Sequence, residues 1–229
     1  MYETLGITSL TAPQAAVAFA ALLGLAFGML AERTGFCFRR SLVGTDRRQA
    51  SGVWLVALAV AVLGTQAAAL AGWIGFADHR FMASELPIVA IVAGGLLFGA
   101  GMVLTRGCVS RLTVLSATGN LRALSVLVIF AVVAHATLKG VLAPVRTTLG
   151  SWTLSLGETV SLAALPGGAA VWAALIALGA LTVALRSHAS LPALTGGAAI
   201  GALVPLAWIG TGFVLYDDFD PIAMESLRF

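Results

Sequence analysis

Charged side chains are scarce in this sequence. Asp, Glu, Lys and Arg make up 10% of its 229 residues, whereas hydrophobic residues make up 59%. Globular proteins average about 25% charged and about 45–50% apolar residues. The deficit of charge excludes an ordinary soluble domain, a disordered chain and a coiled coil. A nucleic-acid-binding domain is also excluded, because the basic residues flank apolar runs and form no basic face.

Cysteine is equally scarce, with two residues in the chain. Two cysteines cannot build a disulfide scaffold, and the sequence has no Cys-x-x-Cys motif and no cysteine–histidine spacing typical of a metal site. We therefore predict no metal ion and no cofactor. The mean hydropathy of +1.00 and the 26 glycines instead indicate an integral membrane protein, since glycine is enriched in membrane helices.

The scarce charges divide the chain into six uncharged hydrophobic segments. A helix needs roughly 20 apolar residues to cross the hydrocarbon core, and the fourth segment is the only short one. It can still span the membrane if Lys139 extends its ammonium group toward the interface. We predict an all-α membrane protein, a single integral domain over residues 1–229. The segments are residues 4–31, 49–77, 86–105, 123–138, 159–185 and 187–216.

The arginines concentrate on one side of this predicted topology. They follow the first, third and fifth segments, whereas most acidic residues lie in the other connections. By the positive-inside rule the arginine-rich side is cytoplasmic and both termini are extracytoplasmic. Topology alone explains most of these arginines, with those beside the cysteines as exceptions. We expect a multi-pass protein in lipid, in the bacterial inner membrane.

An internal repeat relates the first four segments. A shift of 71 residues places residues 24–28 (Gly-Leu-Ala-Phe-Gly) on residues 95–99 (Gly-Leu-Leu-Phe-Gly) and Cys37 on Cys108. Two crossings separate the copies, so both run through the membrane in the same direction, as a parallel repeat. We predict that the paired glycines let helix backbones approach closely. The predicted units are residues 13–77, residues 86–145 and a C-terminal helical part, residues 159–216.

The two cysteines mark the candidate site. Each follows a long apolar segment and a glycine, which predicts that the helix stops before the cysteine and a short broken or re-entrant helix follows. Non-helical backbone at membrane depth is tolerated only where it is buried in protein or lines a cavity. A helix N-terminus there, with arginines nearby, favours an anion. The predicted substrate-pathway residues are Cys37, Cys108, Gly35, Gly107, Ser41, Ser110, Arg40, Arg106 and Arg111.

Longer stretches around both cysteines carry a family resemblance. They are Gly35-Phe-Cys-Phe-Arg-Arg-Ser41, the segment from Phe98 to Arg111, Thr118-Gly-Asn-Leu-Arg122, Thr211-Gly-Phe, Phe219-Asp-Pro221 and Glu225-Ser-Leu227. These stretches resemble the YeeE/YedE family of membrane proteins linked to sulfur transport, including thiosulfate uptake. The resemblance implies a helical bundle narrowed at mid-membrane and passage of thiosulfate along cysteine thiols. It also implies a cytoplasmic sulfur-carrier protein as a partner.

We therefore expect a transporter or transporter subunit, not an enzyme, for thiosulfate or a related sulfur or selenium species. Members of the resembling family usually continue into further helices with a third Gly-Gly-Cys-type motif, so we expect a second chain or another copy to supply a third cysteine. Two alternatives stay open: a membrane thiol enzyme (a sulfurtransferase or disulfide oxidoreductase) and a non-transporting partner subunit. Non-covalent relay between thiols and covalent persulfide transfer also both stay open.

Overall fold

The computed structural model describes residues 11–76, 85–155 and 164–215. The predictions for both chain termini, including the family-like stretches at 219–227, lie outside these residues. A two-residue antiparallel pair joins β1 (Glu85–Leu86) to β2 (Leu154–Ser155). The helices are α1 (Ala12–Thr34), α2 (Phe38–Val43), α3 (Arg47–Leu70), α4 (Ile88–Thr105), α5 (Val109–Ala117), α6 (Leu121–Lys139), α7 (Ala143–Gly150), α8 (Gly168–Leu185) and α9 (Leu191–Ile209), with a π-helical turn at Gly210–Val214.

The described part of the chain contains six helical stretches long and apolar enough to cross a membrane. They confirm an all-α, multi-pass membrane protein. The short fourth segment is helical from Leu121 to Lys139, which makes it long enough to span. The side chain of Asn120 caps this helix, because its Oδ1 accepts a hydrogen bond from the Ala123 N–H at 3.1 Å. The parallel repeat and the re-entrant placement of the cysteine loops stay predictions.

Helix α3 is the centre of the bundle. It packs against α8, α9 and the short α2, and α1 packs against α9. Helix α6 and the stretch that contains α4 and α5 have a much smaller share of buried residues than α3 and α9 have. Helix α6 contacts the short helices α5 and α7, and α4 contacts α7. Helix α5 also contacts α1. The cysteine loops therefore lie where these two parts of the protein meet.

Two glycines of α9 allow its close contact with α3. A Cβ atom at Gly197 would lie 2.6 Å from the carbonyl oxygen of Val53, and one at Gly201 would collide with the carbonyl oxygen of Ala57. Both residues are buried. They form a Gly-x-x-x-Gly pattern, in which the absence of side chains lets two membrane helices approach at backbone distance.

The glycine pairs that are predicted to serve this purpose behave differently. A Cβ atom added at Gly24, Gly28, Gly95 or Gly99 meets no atom within 4 Å. The prediction that these pairs serve close helix packing is wrong for the described residues. The glycine spacing is the same in both cases, but only the α9 pair faces a neighbouring backbone.

Replacing Gly201 with alanine is expected to destabilise the protein by about 1–3 kcal/mol, the usual effect of forcing extra atoms into a packed core. Gly99→Ala is the matched control, because the added methyl group has open space. Thermal unfolding in detergent, followed by size-exclusion chromatography of the heated protein, measures both. Equal melting temperatures for the two variants would contradict this account of the α3–α9 contact.

Candidate functional site

The first helix break lies between α1 and α2. Gly35 adopts left-handed backbone angles (φ 60°, ψ 35°), and its N–H and that of Phe36 close the end of α1 on carbonyls one turn back. Only glycine takes these angles without a steric penalty from Cβ. The chain then becomes extended at Cys37, which is the N-cap residue of α2. The predicted break before this cysteine is confirmed, with Gly35 as its cause.

The second break lies between α4 and α5 and uses a different residue. Arg106, not Gly107, takes the left-handed conformation (φ 60°, ψ 26°), at a cost of about 1–2 kcal/mol for a residue with Cβ. Cys108 is again extended and is the N-cap residue of α5. At both breaks the last helical threonine, Thr34 or Thr105, donates its hydroxyl proton to the carbonyl four residues earlier at 2.8 Å. The chain thus turns similarly before each cysteine.

The two breaks bring the cysteines together. Their Sγ atoms are 3.7 Å apart, although 71 residues separate them in sequence. Both thiols are free, and both residues are buried, at 8% and 5% exposure. The Oγ atom of Ser110 lies 3.3 Å from the Cys108 sulfur, and Met102 and Phe38 pack around the pair. The site is therefore a small enclosed cluster of two thiols and one hydroxyl.

Arg40 and Arg111, which the repeat equates, have different partners. Arg40 binds Asp46 through two N–H···O contacts, including one of 3.0 Å from Nε to Oδ1. It also donates to the Gly35 carbonyl at 3.1 Å, so it braces the first break. Its guanidinium group lowers the pKa of the Asp46 carboxyl. Arg111 pairs with Glu32 of α1 at 2.9 Å, which links the second break to the first helix.

The predicted site residues therefore fall into four groups. The structure brings Cys37, Cys108 and Ser110 together, while Gly35 and Gly107 belong to the breaks that position them. Arg40, Arg106 and Arg111 lie around the breaks, with Arg106 exposed. Ser41 lies on α2, one helical turn after Cys37, since its N–H donates to the Cys37 carbonyl at 3.3 Å. It lines a separate pocket, together with three arginines.

Arg39 is a residue that the predicted site lacks. Its Nε atom is buried and has no hydrogen-bond partner among the residues that the structure describes. A buried donor without a partner is uncommon in proteins, and this one lies two residues after Cys37. The stretch Phe38-Arg39-Arg40-Ser41 indicates a cation near the cysteine. Only the structure shows that Arg40 hydrogen-bonds to the first break and that Arg39 is the other candidate cation.

An apolar cavity of about 640 Å³ lies on another side of the first break. Residues of α1, α3 and α9 form its walls, and Phe36 and Trp54 also line it. Trp54 is in ring contact with Phe38, with a centroid distance of 4.9 Å. Because this lining is almost wholly hydrocarbon, the cavity suits lipid chains or an apolar solute and disfavours a hydrated anion.

Comparison with protein families gives a match over most of the chain. A protein-family model described as "Sulphur transport" matches residues 33–216, which include both cysteine breaks. No curated protein and no solved structure matches the chain.

Proposed function

Because the chain belongs to the sulphur transport family, we propose that it carries thiosulfate or a related sulfur anion across the membrane, past Cys37 and Cys108. One observation carries the proposal beyond sulfur transport in general. The only two cysteines of the chain are buried in mutual contact, with Sγ atoms 3.7 Å apart, each at the start of a helix that follows a break.

The chemistry of this cluster suits transient contact with an anion. A protonated thiol is a weak, uncharged hydrogen-bond donor and the hydroxyl of Ser110 is a stronger one. Conduction requires sites that admit an ion and also release it, which weak donors do better than free cations. Arg40 and Arg111 are bound to carboxylates, so neither presents a full uncompensated charge to a dianion. The pathway is closed at this point, and passage requires Met102 and Phe38 to move aside.

The same short distance favours one alternative, a membrane thiol enzyme. A thiolate can attack the outer sulfur of thiosulfate, forming a cysteine persulfide and releasing sulfite, with the electron pair of the broken S–S bond leaving on sulfite. A second thiol 3.7 Å away can then displace the persulfide sulfur as hydrosulfide and form a disulfide. This reaction consumes thiosulfate and releases sulfite, whereas transport leaves thiosulfate intact.

We place the protein in the bacterial inner membrane with the arginine-rich side cytoplasmic and both termini outside. A cytoplasmic sulfur-carrier protein on that side and a second chain that contributes a further cysteine motif belong to the same proposal. The weakly buried α4 and α6 are the helices with the most surface left for lipid or for such a chain.

Uptake of radiolabelled thiosulfate into lipid vesicles that contain this chain alone tests the proposal. We expect uptake that saturates with thiosulfate concentration and exceeds the leak of protein-free vesicles. Chromatography of the vesicle contents identifies the product. Intact thiosulfate inside supports transport, sulfite together with hydrosulfide supports the enzyme, and uptake no faster than the leak rejects transport by this chain alone.

A further inference from the structure

An arginine-lined pocket lies between α2, the beginning of α3 and the end of α8. Its volume is about 570 Å³, which is room for a small anion with attached water, since a water molecule takes about 30 Å³. Besides Val183, every residue that lines it is arginine or serine. These residues are Arg47, Arg48, Arg186, Ser41, Ser51 and Ser187.

None of the three guanidinium groups around this pocket has a carboxylate partner among the residues that the structure describes. In the described ranges, no carboxylate lies within 4.0 Å of any of them. Asp46, the acid next to Arg47, is bound to Arg40 instead. Each guanidinium carries five N–H donors in a planar fork that matches tetrahedral oxyanions.

The position of two of these arginines is unfavourable for the helix that carries them. Arg47 and Arg48 begin α3, whose first turn contains no acidic residue and whose N-cap side chain makes no capping hydrogen bond. A helix N-terminus carries partial positive charge and favours anions, so two cations there raise the local potential further. An anion in the pocket would compensate both arginines and the helix end.

Serines hold the pocket together and supply one more donor. Ser51 Oγ donates to the Ser41 carbonyl at 2.8 Å, which ties α3 to α2. Ser187 is 2% exposed, and its Oγ accepts from the Ala189 N–H at 3.3 Å. Its hydroxyl proton has no acceptor in the part of the chain that the structure describes. Gly52 leaves the space for this side chain, because a Cβ atom there would collide with Ser187 Oγ.

We propose that this pocket is a second anion site, in which Arg47, Arg48 and Arg186 bind a tetrahedral sulfur oxyanion such as thiosulfate or sulfate. Ser41 connects it to the cysteine pair, since it lies one turn of α2, about 5.4 Å, beyond Cys37. The apolar cavity lined by Phe36 and Trp54 contains no cation, whereas this pocket is lined by three arginines. The identity of the anion rests on the proposed function, while the existence of the site rests on the pocket alone.

Direct binding tests this site without transport. Isothermal titration calorimetry with sodium thiosulfate, and separately with sodium sulfate, is done on purified protein in a nonionic detergent, at an ionic strength held constant with chloride. Each titration is repeated in a Cys37→Ala/Cys108→Ala background, which removes binding at the thiols. We expect Arg186→Gln and Arg47→Gln each to weaken binding about tenfold or more, because each removes charge-assisted hydrogen bonds to the anion. Both effects should persist without the cysteines.

Arg122→Gln is the matched control, because it removes the same charge from an exposed residue that does not line the pocket. We expect it to leave binding unchanged. Equal affinity for wild type, Arg186→Gln and Arg47→Gln overturns the proposal, as does equal weakening by Arg122→Gln, which would indicate general electrostatics. Size-exclusion chromatography shows which variants fold. Because two pocket variants are tested, the experiment remains informative if one of them does not fold.

A phospholipid phosphate offers similar chemistry to the pocket, and native mass spectrometry separates the two ligands. A phosphatidylglycerol that remains bound in wild type, is lost in Arg186→Gln and is not displaced by thiosulfate would overturn the assignment to a sulfur oxyanion. Failure of vesicle uptake together with intact pocket binding would reject transport by this chain alone and leave the proposed anion site supported.

Discussion

Replacing Cys108 with alanine is expected to reduce thiosulfate uptake into vesicles about tenfold or more. The substitution removes the sulfur that lies 3.7 Å from Cys37 Sγ and 3.3 Å from Ser110 Oγ. A hydrogen bond to a charged partner contributes about 1.5–3 kcal/mol, and about 1.4 kcal/mol changes a rate or an equilibrium tenfold. Cys37→Ala should have a similar effect, because the two sulfurs form one contact. Initial uptake rates, normalised to the amount of folded protein in the vesicles, measure both.

Two further variants separate the role of the thiol from a general effect on folding. Thr113→Ala, on the same helix α5, removes an exposed hydroxyl that bonds only to its own helix backbone and should leave uptake unchanged. Cys108→Ser keeps a hydrogen-bond donor but cannot form a persulfide, so substantial uptake by this variant favours a non-covalent relay. Normal uptake by both alanine variants would show that the substrate does not pass the cysteine pair.

The sequence predicts the membrane-spanning part of this fold well, because each span is dictated by a local run of apolar residues. The helix breaks are also local, and Gly35 takes the left-handed backbone angles that end α1. The second break shows the limit of this reasoning. A glycine is available at position 107, but the left-handed residue is Arg106 instead, and the sequence does not indicate this.

Contacts between distant helices are harder to predict. The Gly24/Gly28 and Gly197/Gly201 patterns look alike in sequence, yet only the second faces another backbone. Which glycines are buried depends on the helix that packs against them, and composition does not reveal this. The repeat places Cys37 and Cys108 at equivalent positions, but their direct contact is a property of the folded chain.

The arginine-lined pocket is hard to predict for the same reason. Arg47 and Arg48 follow the first segment and Arg186 follows the fifth, and the positive-inside rule explains all three as topology signals. Their convergence depends on α3 packing against α8. A sequence signal does exist, since the pair Arg186-Ser187 has the same residue types as Arg40-Ser41. This signal becomes meaningful only when the two segments are adjacent in the fold.

Oxidation of the cysteine pair is expected to stop uptake almost completely. A small oxidant such as iodine takes two electrons from the two thiols, which lose their protons and form one S–S bond. The sulfurs are 3.7 Å apart and must approach to about 2.05 Å for the bond to form. The bond would remove both donors from the pathway and fix α2 to α5, so the constriction could not open. Mass spectrometry of proteolytic fragments identifies the crosslink, and a phosphine reductant should restore uptake.

The response of Cys108→Ser to the same oxidant makes this result specific. This variant keeps a single thiol and cannot form the internal bond, so its uptake should be insensitive to iodine if the disulfide is the cause of inhibition. Equal inhibition of wild type and Cys108→Ser would mean that the oxidant acts elsewhere, for example on one of the methionines. If thiosulfate alone, without added oxidant, produces a disulfide and free sulfite, the cysteine pair reacts chemically with thiosulfate. A 3.7 Å separation permits both a non-covalent relay and a redox couple. Whether the two sulfurs lose electrons to thiosulfate during uptake distinguishes the two mechanisms.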